Sequence, residues 1–129
     1  MQAYPHGTVS LVIDCSELDR AAAFWCEVLD YRPMGQSDGK YLSLVPDRGE
    51  GIELLLQRVS DRKTAKNRVH LDLRTDNLPV ELERVVQAGA SKVTTEPLRE
   101  GGWIWHICAD PDGNEFCILQ PPGLFRTKP

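Results

Sequence analysis

The chain contains no long apolar run. Its densest stretch, Ile52-Glu53-Leu54-Leu55-Leu56, is short and carries a glutamate, whereas a membrane-crossing helix needs about 20 apolar residues. It also lacks a basic stripe. The densest cluster of Lys and Arg, between Arg58 and Arg68, includes Asp61, and 19 acidic against 15 basic residues leave a net charge of -4. A polyanion such as nucleic acid is therefore not an expected partner, and neither is a membrane. The cysteines Cys15, Cys26, Cys108 and Cys117 form no CxxC pair, so a zinc knuckle or thioredoxin-type motif is absent. Residues Met1 to His6 lack the basic patch and apolar stretch of a secretory signal. The cytoplasm is the expected compartment, where the four cysteines read as free thiols that behave as small apolar core residues. Gly101-Gly102 has no phosphate-loop context.

What remains is ordinary globular composition, 41% apolar and 26% charged over 129 residues. That is enough apolar surface for one folded domain and too little chain for two independent ones. Within it lies a repeat. A shift of sixty positions lays Val9-Ser10-Leu11-Val12-Ile13-Asp14 over Val69-His70-Leu71-Asp72-Leu73-Arg74. Both segments alternate with period two and read as strands. Each precedes a helix signal. In the first copy Ser16 is the expected cap, with Asp19 three residues on, and Leu18, Ala22, Trp25 and Leu29 form an apolar stripe. In the second, Asp76 or Asn77 caps and Pro79 sits in the first turn. Leu78, Leu82, Val85 and Val86 form the stripe there, and Gly89 ends the helix.

Three strand candidates follow each helix. They lie near Arg32–Gln36, Tyr41–Val45 and Ile52–Val59, then near Lys92–Thr95, Trp103–Ala109 and Glu115–Leu119. Asp38-Gly39 and Asp110-Pro111-Asp112-Gly113-Asn114 are turn signals. The expected fold is therefore α+β, with two tandem βαβββ modules forming one domain. Module one covers about 8–58, a linker about 59–67, module two about 68–120, and a loose tail 121–129.

Alternation assigns faces. Val69, Leu71 and Leu73 should lie under the second helix, which turns His70, Asp72 and Arg74 to the open face. By the repeat, Ser10, Val12 and Asp14 are open too. Ile52, Leu54 and Leu56 are wholly apolar, so Glu53 and Leu55 face the opening. If the last turn is the five residues 110–114, Trp105, Ile107, Cys117 and Leu119 share a face. Leu42 and Leu44 are assigned to the cleft as well. A mostly apolar cleft dotted with polar groups is the usual form of a small-molecule site. His106 should point away from it, and His6 reads as exposed. Phe24 and Trp25 read as helix-to-sheet packing. Of Trp103 and Trp105, one is expected in the core and the other free to stack on a flat ligand.

The motifs Asp19-Arg20-Ala21-Ala22-Ala23-Phe24-Trp25, Val28-Leu29-Asp30-Tyr31, Val69-His70-Leu71-Asp72-Leu73 and Asp110 through Cys117 resemble the vicinal-oxygen-chelate superfamily of glyoxalase I, bleomycin and fosfomycin resistance proteins, and extradiol dioxygenases. They are closest to its glyoxalase-like branch common in actinobacteria. The resemblance runs from about Thr8 to Pro122 and implies paired βαβββ modules around a cleft, in a protein that dimerises. Metal-dependent members draw ligands from the positions of Ser10, Glu53, His70 and Cys117. Glu53 and His70 match that pattern; Ser10 and Cys117 depart from it. A divalent metal on Glu53, His70 and Cys117 is thus one expectation, with zinc favoured by the thiol. An extradiol iron site, which needs two His and one carboxylate, is disfavoured.

The plainest reading makes Glu53 and His70 a hydrogen-bonded polar pair. A catalytic reading makes Glu53 a general base with a raised pKa, partnered by His70, in a lyase or isomerase acting next to a carbonyl. Cys117 as a nucleophile is weaker than Cys117 as a small buried thiol. The alternative to an enzyme is a resistance-type protein that sequesters a small aromatic or amphiphilic compound.

Overall fold

The computed structural model describes residues 3–123; residues 124–129, most of the expected loose tail, lie outside them. The chain divides into two compact units, 1–63 and 64–129. Along it run β1 (Ala3–Tyr4), β2 (Gly7–Thr8), β3 (Ser10–Cys15), α1 (Leu18–Leu29), β4 (Tyr31–Met34), β5 (Tyr41–Pro46) and β6 (Glu53–Arg58). The second unit continues with β7 (Leu71–Arg74), α2 (Leu78–Ala88), β8 (Ser91–Lys92), β9 (Leu98–Glu100), β10 (Trp103–Ala109) and β11 (Glu115–Gln120). Each unit thus contains the βαβββ order that the repeat implies. The small β1–β2 hairpin and the short strand β9 are additions that hydrophobic periodicity does not reveal, because two or three residues are too few to show a period.

In the first unit the sheet order is β3-β6-β5-β4. β3 and β6 are parallel, as a helical crossover requires, and the other pairs are antiparallel. α1 packs on β4, β5 and β6. Its buried side is Leu18, Ala21, Ala22, Phe24, Trp25 and Val28. The alanines let the helix approach closely, and Phe24 and Trp25, each 1% exposed, meet edge to face with ring centres 5.0 Å apart. Leu54 and Leu56 complete this core from the sheet.

Leu42 and Leu44 join them. They pair with Leu56 and Leu54 and are buried, so they lie beneath α1. Cross-strand partners share a face, so Tyr41 and Ser43 take the open face in their place. Ser16 is corrected too: the N-cap of α1 is Glu17, which makes no side-chain cap bond, while the Ser16 hydroxyl accepts from the Arg20 guanidinium at 2.7 Å.

In the second unit the order is β7-β11-β10-β8, with β9 also on β10. β7 and β11 are parallel. Asn77 caps α2 by accepting from the Val80 amide, Pro79 lies in the first turn, and Gly89 ends the helix at φ 126°. Leu78 and Val85 are buried, but Val86 is exposed, so the stripe is narrower than expected. Val69 precedes β7 and is 76% exposed, outside the strand that should have carried it under the helix. β8 is shorter than Lys92–Thr95, because the Val93 and Thr94 amides both donate to the Ile107 carbonyl, and this doubling of donors on one acceptor interrupts the ladder. No helix among the described residues is long and apolar enough to cross a membrane.

Candidate functional site

The last hairpin decides where the chemistry goes. Asp110 accepts from the Asp112 and Asn114 amides and from the Asn114 side chain, which closes a five-residue turn. The register is thereby set: Ile107 opposes Cys117 and Trp105 opposes Leu119. β7 joins in parallel with Asp72 beside Cys117 and Arg74 beside Leu119. Asp72, Cys117, Trp105 and Leu119 therefore share the sheet face turned away from α2, as alternation requires. His106 takes the opposite face, where it is buried with Nδ1 3.1 Å from the Thr94 hydroxyl.

On the open face His70 reaches across to Asp72, Nε2 to Oδ1 3.2 Å. The nitrogen, oxygen and sulfur ligand atoms of His70, Asp72 and Cys117 all lie within 4.8 Å of one another. Both members of the His70–Asp72 pair are 45% exposed, so solvent reaches them. Cys117 is buried at 6% exposure. Burial, then the charge of Asp72 and a hydrogen bond to it, push the Cys117 thiol up to about 11. A thiol with so little thiolate near neutral pH is a poor nucleophile.

These residues line a pocket of about 360 Å³ whose remaining walls are Glu100, Trp103, Trp105 and Leu119. Both tryptophans belong to it, so the expectation that one would be core is corrected. Two residues apart on one strand, they must face the same way. The Arg74 guanidinium lies 5.2 Å from the Trp103 ring centre, within cation–π range. Glu100 escaped the sequence reading because it lies on the unforeseen strand β9.

The remaining candidates gather in the first unit. Ser10 pairs with Glu53 and Val12 with Leu55, so these four share that sheet's open face. The Glu53 carboxylate accepts from the Ser43 hydroxyl on the same sheet face. A larger cavity, about 630 Å³, also lies in this unit, between the end of α1 and the loop from Pro46 to Gly51. Size alone does not make it the better candidate. Among the described residues, three potential ligand side chains converge only at His70, Asp72 and Cys117.

Residues 10–119 match the model of the glyoxalase-like domain. The chain belongs to this glyoxalase-like family. Its fold is that of the glyoxalase/bleomycin resistance/dioxygenase superfamily. A glyoxalase/bleomycin resistance protein/dioxygenase family enzyme from Burkholderia phytofirmans superposes with a TM-score of 0.68 at 17% identity, over 86% of this chain and 95% of that one. The fosfomycin resistance protein FosX from Mesorhizobium loti gives 0.69 at 15% identity, over 94% and 97%. FosX from Listeria monocytogenes, a mutant complexed with Mn(II) and 1S,2S-dihydroxypropylphosphonic acid, gives 0.70 at 14% identity, over 89% and 90%. A search of curated proteins found no match. At these identities the glyoxalase-like chain shares a fold with its neighbours, and a fold does not carry a chemistry with it.

Proposed function

We propose that this glyoxalase-like chain binds a small aromatic or amphiphilic molecule on the open face of its second sheet. The observation that carries this reading is the pocket in which two indoles and Leu119 adjoin a His–Asp pair. The indoles supply broad, rigid apolar area, and the polar groups orient what lies on it. His70 and Asp72 need no ordering by a ligand, since they already hold each other. Sequestration asks nothing more of the site. The test is a thermal-shift screen of small aromatic and amphiphilic compounds, followed by titration of the best compound against tryptophan fluorescence. Binding raises the melting temperature, and Trp105→Ala weakens it about tenfold, the worth of one aromatic contact. Compounds that bind Trp105→Ala and His70→Ala as well as the parent chain would place the ligand elsewhere.

A second reading keeps catalysis. With Nε2 facing Asp72, the His70 imidazole has Nδ1 as its other nitrogen, the arrangement by which a carboxylate orients a general base. In a lyase or isomerase acting next to a carbonyl, His70 or Glu53 would take the proton. Turnover lost in His70→Ala or Glu53→Gln, with binding retained, distinguishes this enzyme from a sequestering protein. The same reading takes the chain as a homodimer, which sedimentation at micromolar concentration checks.

A further inference from the structure

We infer that His70, Asp72 and Cys117 form a three-ligand site for a borderline-soft divalent cation, zinc above all, built entirely within the second unit. The inference does not depend on which organic molecule the pocket takes, because it concerns the polar end of the pocket alone.

Three observations support it. The three ligand atoms lie within 4.8 Å of one another, with His70 Nε2 3.2 Å from Asp72 Oδ1, so an inward shift of about 1 Å brings them to the about 3.3–3.8 Å between donors set 2.0–2.3 Å from a tetrahedral zinc. Their placement follows from the backbone rather than from chance rotamers: Asp72 and Cys117 are direct partners in the parallel register of β7 and β11, and His70 precedes Asp72 by two positions and contacts it. The donor set is one imidazole nitrogen, one carboxylate oxygen and one thiol sulfur, a combination that zinc accepts and that magnesium, with its preference for oxygen, does not.

The site differs from the pattern of metal-dependent relatives. That pattern draws on the positions of Ser10, Glu53, His70 and Cys117 and so needs both modules. Here a serine stands at the first position and Ser43 occupies the Glu53 carboxylate, while Asp72 supplies a carboxylate locally. Three protein ligands leave a fourth position for water or a ligand atom, the usual arrangement of a reactive rather than a structural zinc.

The experiment is titration of the chelator-treated, untagged full chain with cobalt(II), read by absorption, with competition by zinc. The expected result is one equivalent bound, with the visible bands of four-coordinate cobalt and a near-ultraviolet thiolate-to-cobalt band. Cys117→Ser removes the near-ultraviolet band, and Cys26→Ser keeps it. His70→Ala and Asp72→Asn each weaken binding by more than about 100-fold, since losing a ligand costs more than losing the group that orients one. Both of these side chains are about half-exposed, so their loss leaves the core intact, which circular dichroism confirms. Binding that stays millimolar overturns the inference. So does a cobalt spectrum that survives Asp72→Asn but vanishes in Glu53→Gln, which would assign the metal to the two-module pattern.

Discussion

The two units share one plan and invest it differently. In the first, α1 buries six side chains against the sheet, two of them large aromatics. In the second, α2 buries only Leu78 and Val85 over a sheet that contributes one buried ring, Phe116, and both tryptophans, Trp103 and Trp105, lie on the other side of the sheet, in a pocket beside His70, Asp72 and Cys117. The same exchange runs through the polar residues. On the first sheet Glu53 is held by a serine; on the second, three potential metal ligands converge. Duplication of a βαβββ module thus leaves one copy with the heavier helix-packed core and the other with the denser chemistry.

Four predictions probe this asymmetry, from the largest effect to the smallest. Trp25→Ala empties a site 1% exposed and should cost about 3–5 kcal/mol. Trp103→Ala removes a half-buried ring from the pocket and should cost well under half of that. Urea midpoints measure both, and equal losses would erase the distinction between a core ring and a pocket ring.

The helix ends differ as well. Asn77→Ala deletes a real cap bond to the Val80 amide and should cost about 1 kcal/mol. Ser16→Ala deletes no cap, so its effect should fall within about 0.5 kcal/mol. At the other ends, α2 finishes on Gly89, whereas α1 finishes on Asp30 in the left-handed region at φ 55°. Asp30→Gly removes both a side chain from that conformation and a negative charge from a helix C-terminus, and should stabilise the chain by about 0.5–1 kcal/mol. Gly89→Ala should destabilise it. Melting temperatures of the four variants order them.

The last prediction concerns pH. Burial first, then Asp72, raises the Cys117 thiol to about 11, and burial raises the Cys108 thiol to about 11 from an ordinary 9.0. Because both folded values lie above the unfolded one, the stability they contribute is complete below about pH 9. It is lost as the pH climbs toward 11, where the unfolded chain has released protons that the folded chain still holds. Alkylation of Cys117 by iodoacetamide should accordingly be slow at pH 8, and faster in Asp72→Asn, in which the charge that disfavours the thiolate is gone. Mass spectrometry of the modified peptide reads both.

Much of this arrangement is legible in the residues. The sixty-residue repeat implies the order of elements, and the Asp110–Asn114 turn implies the register that unites Trp105 with Leu119 and Ile107 with Cys117. The face of Asp72 follows from alternation in β7, and His70, just before that strand, turns to the same side and contacts it. What is not legible depends on pairing. Leu42 and Leu44 are assigned to a face only by their partners Leu56 and Leu54, and alternation within Tyr41–Val45 does not say which side meets the helix. Ser16 and Glu17 stand adjacent, so a one-residue shift in the helix start turns an apparent cap into a partner for Arg20. Cys117 and Asp72 lie 45 residues apart in the sequence, and only the parallel pairing of β7 with β11 makes them neighbours. Glu100 enters the pocket on a strand of three residues, too short to announce itself.

The most direct test of the central claim, that the ligand surface belongs to the second unit, uses the three tryptophans as reporters. Trp25 lies in the first core, and Trp103 and Trp105 in the pocket. Their three indole N–H signals can be assigned by single Trp→Phe variants and followed by NMR during titration with anilinonaphthalene sulfonate, then with the best compound from the thermal-shift screen. The account predicts that the Trp103 and Trp105 signals move together and saturate while Trp25 stays still. Movement of Trp25 with the pocket tryptophans unmoved would contradict it and shift the search to the first unit.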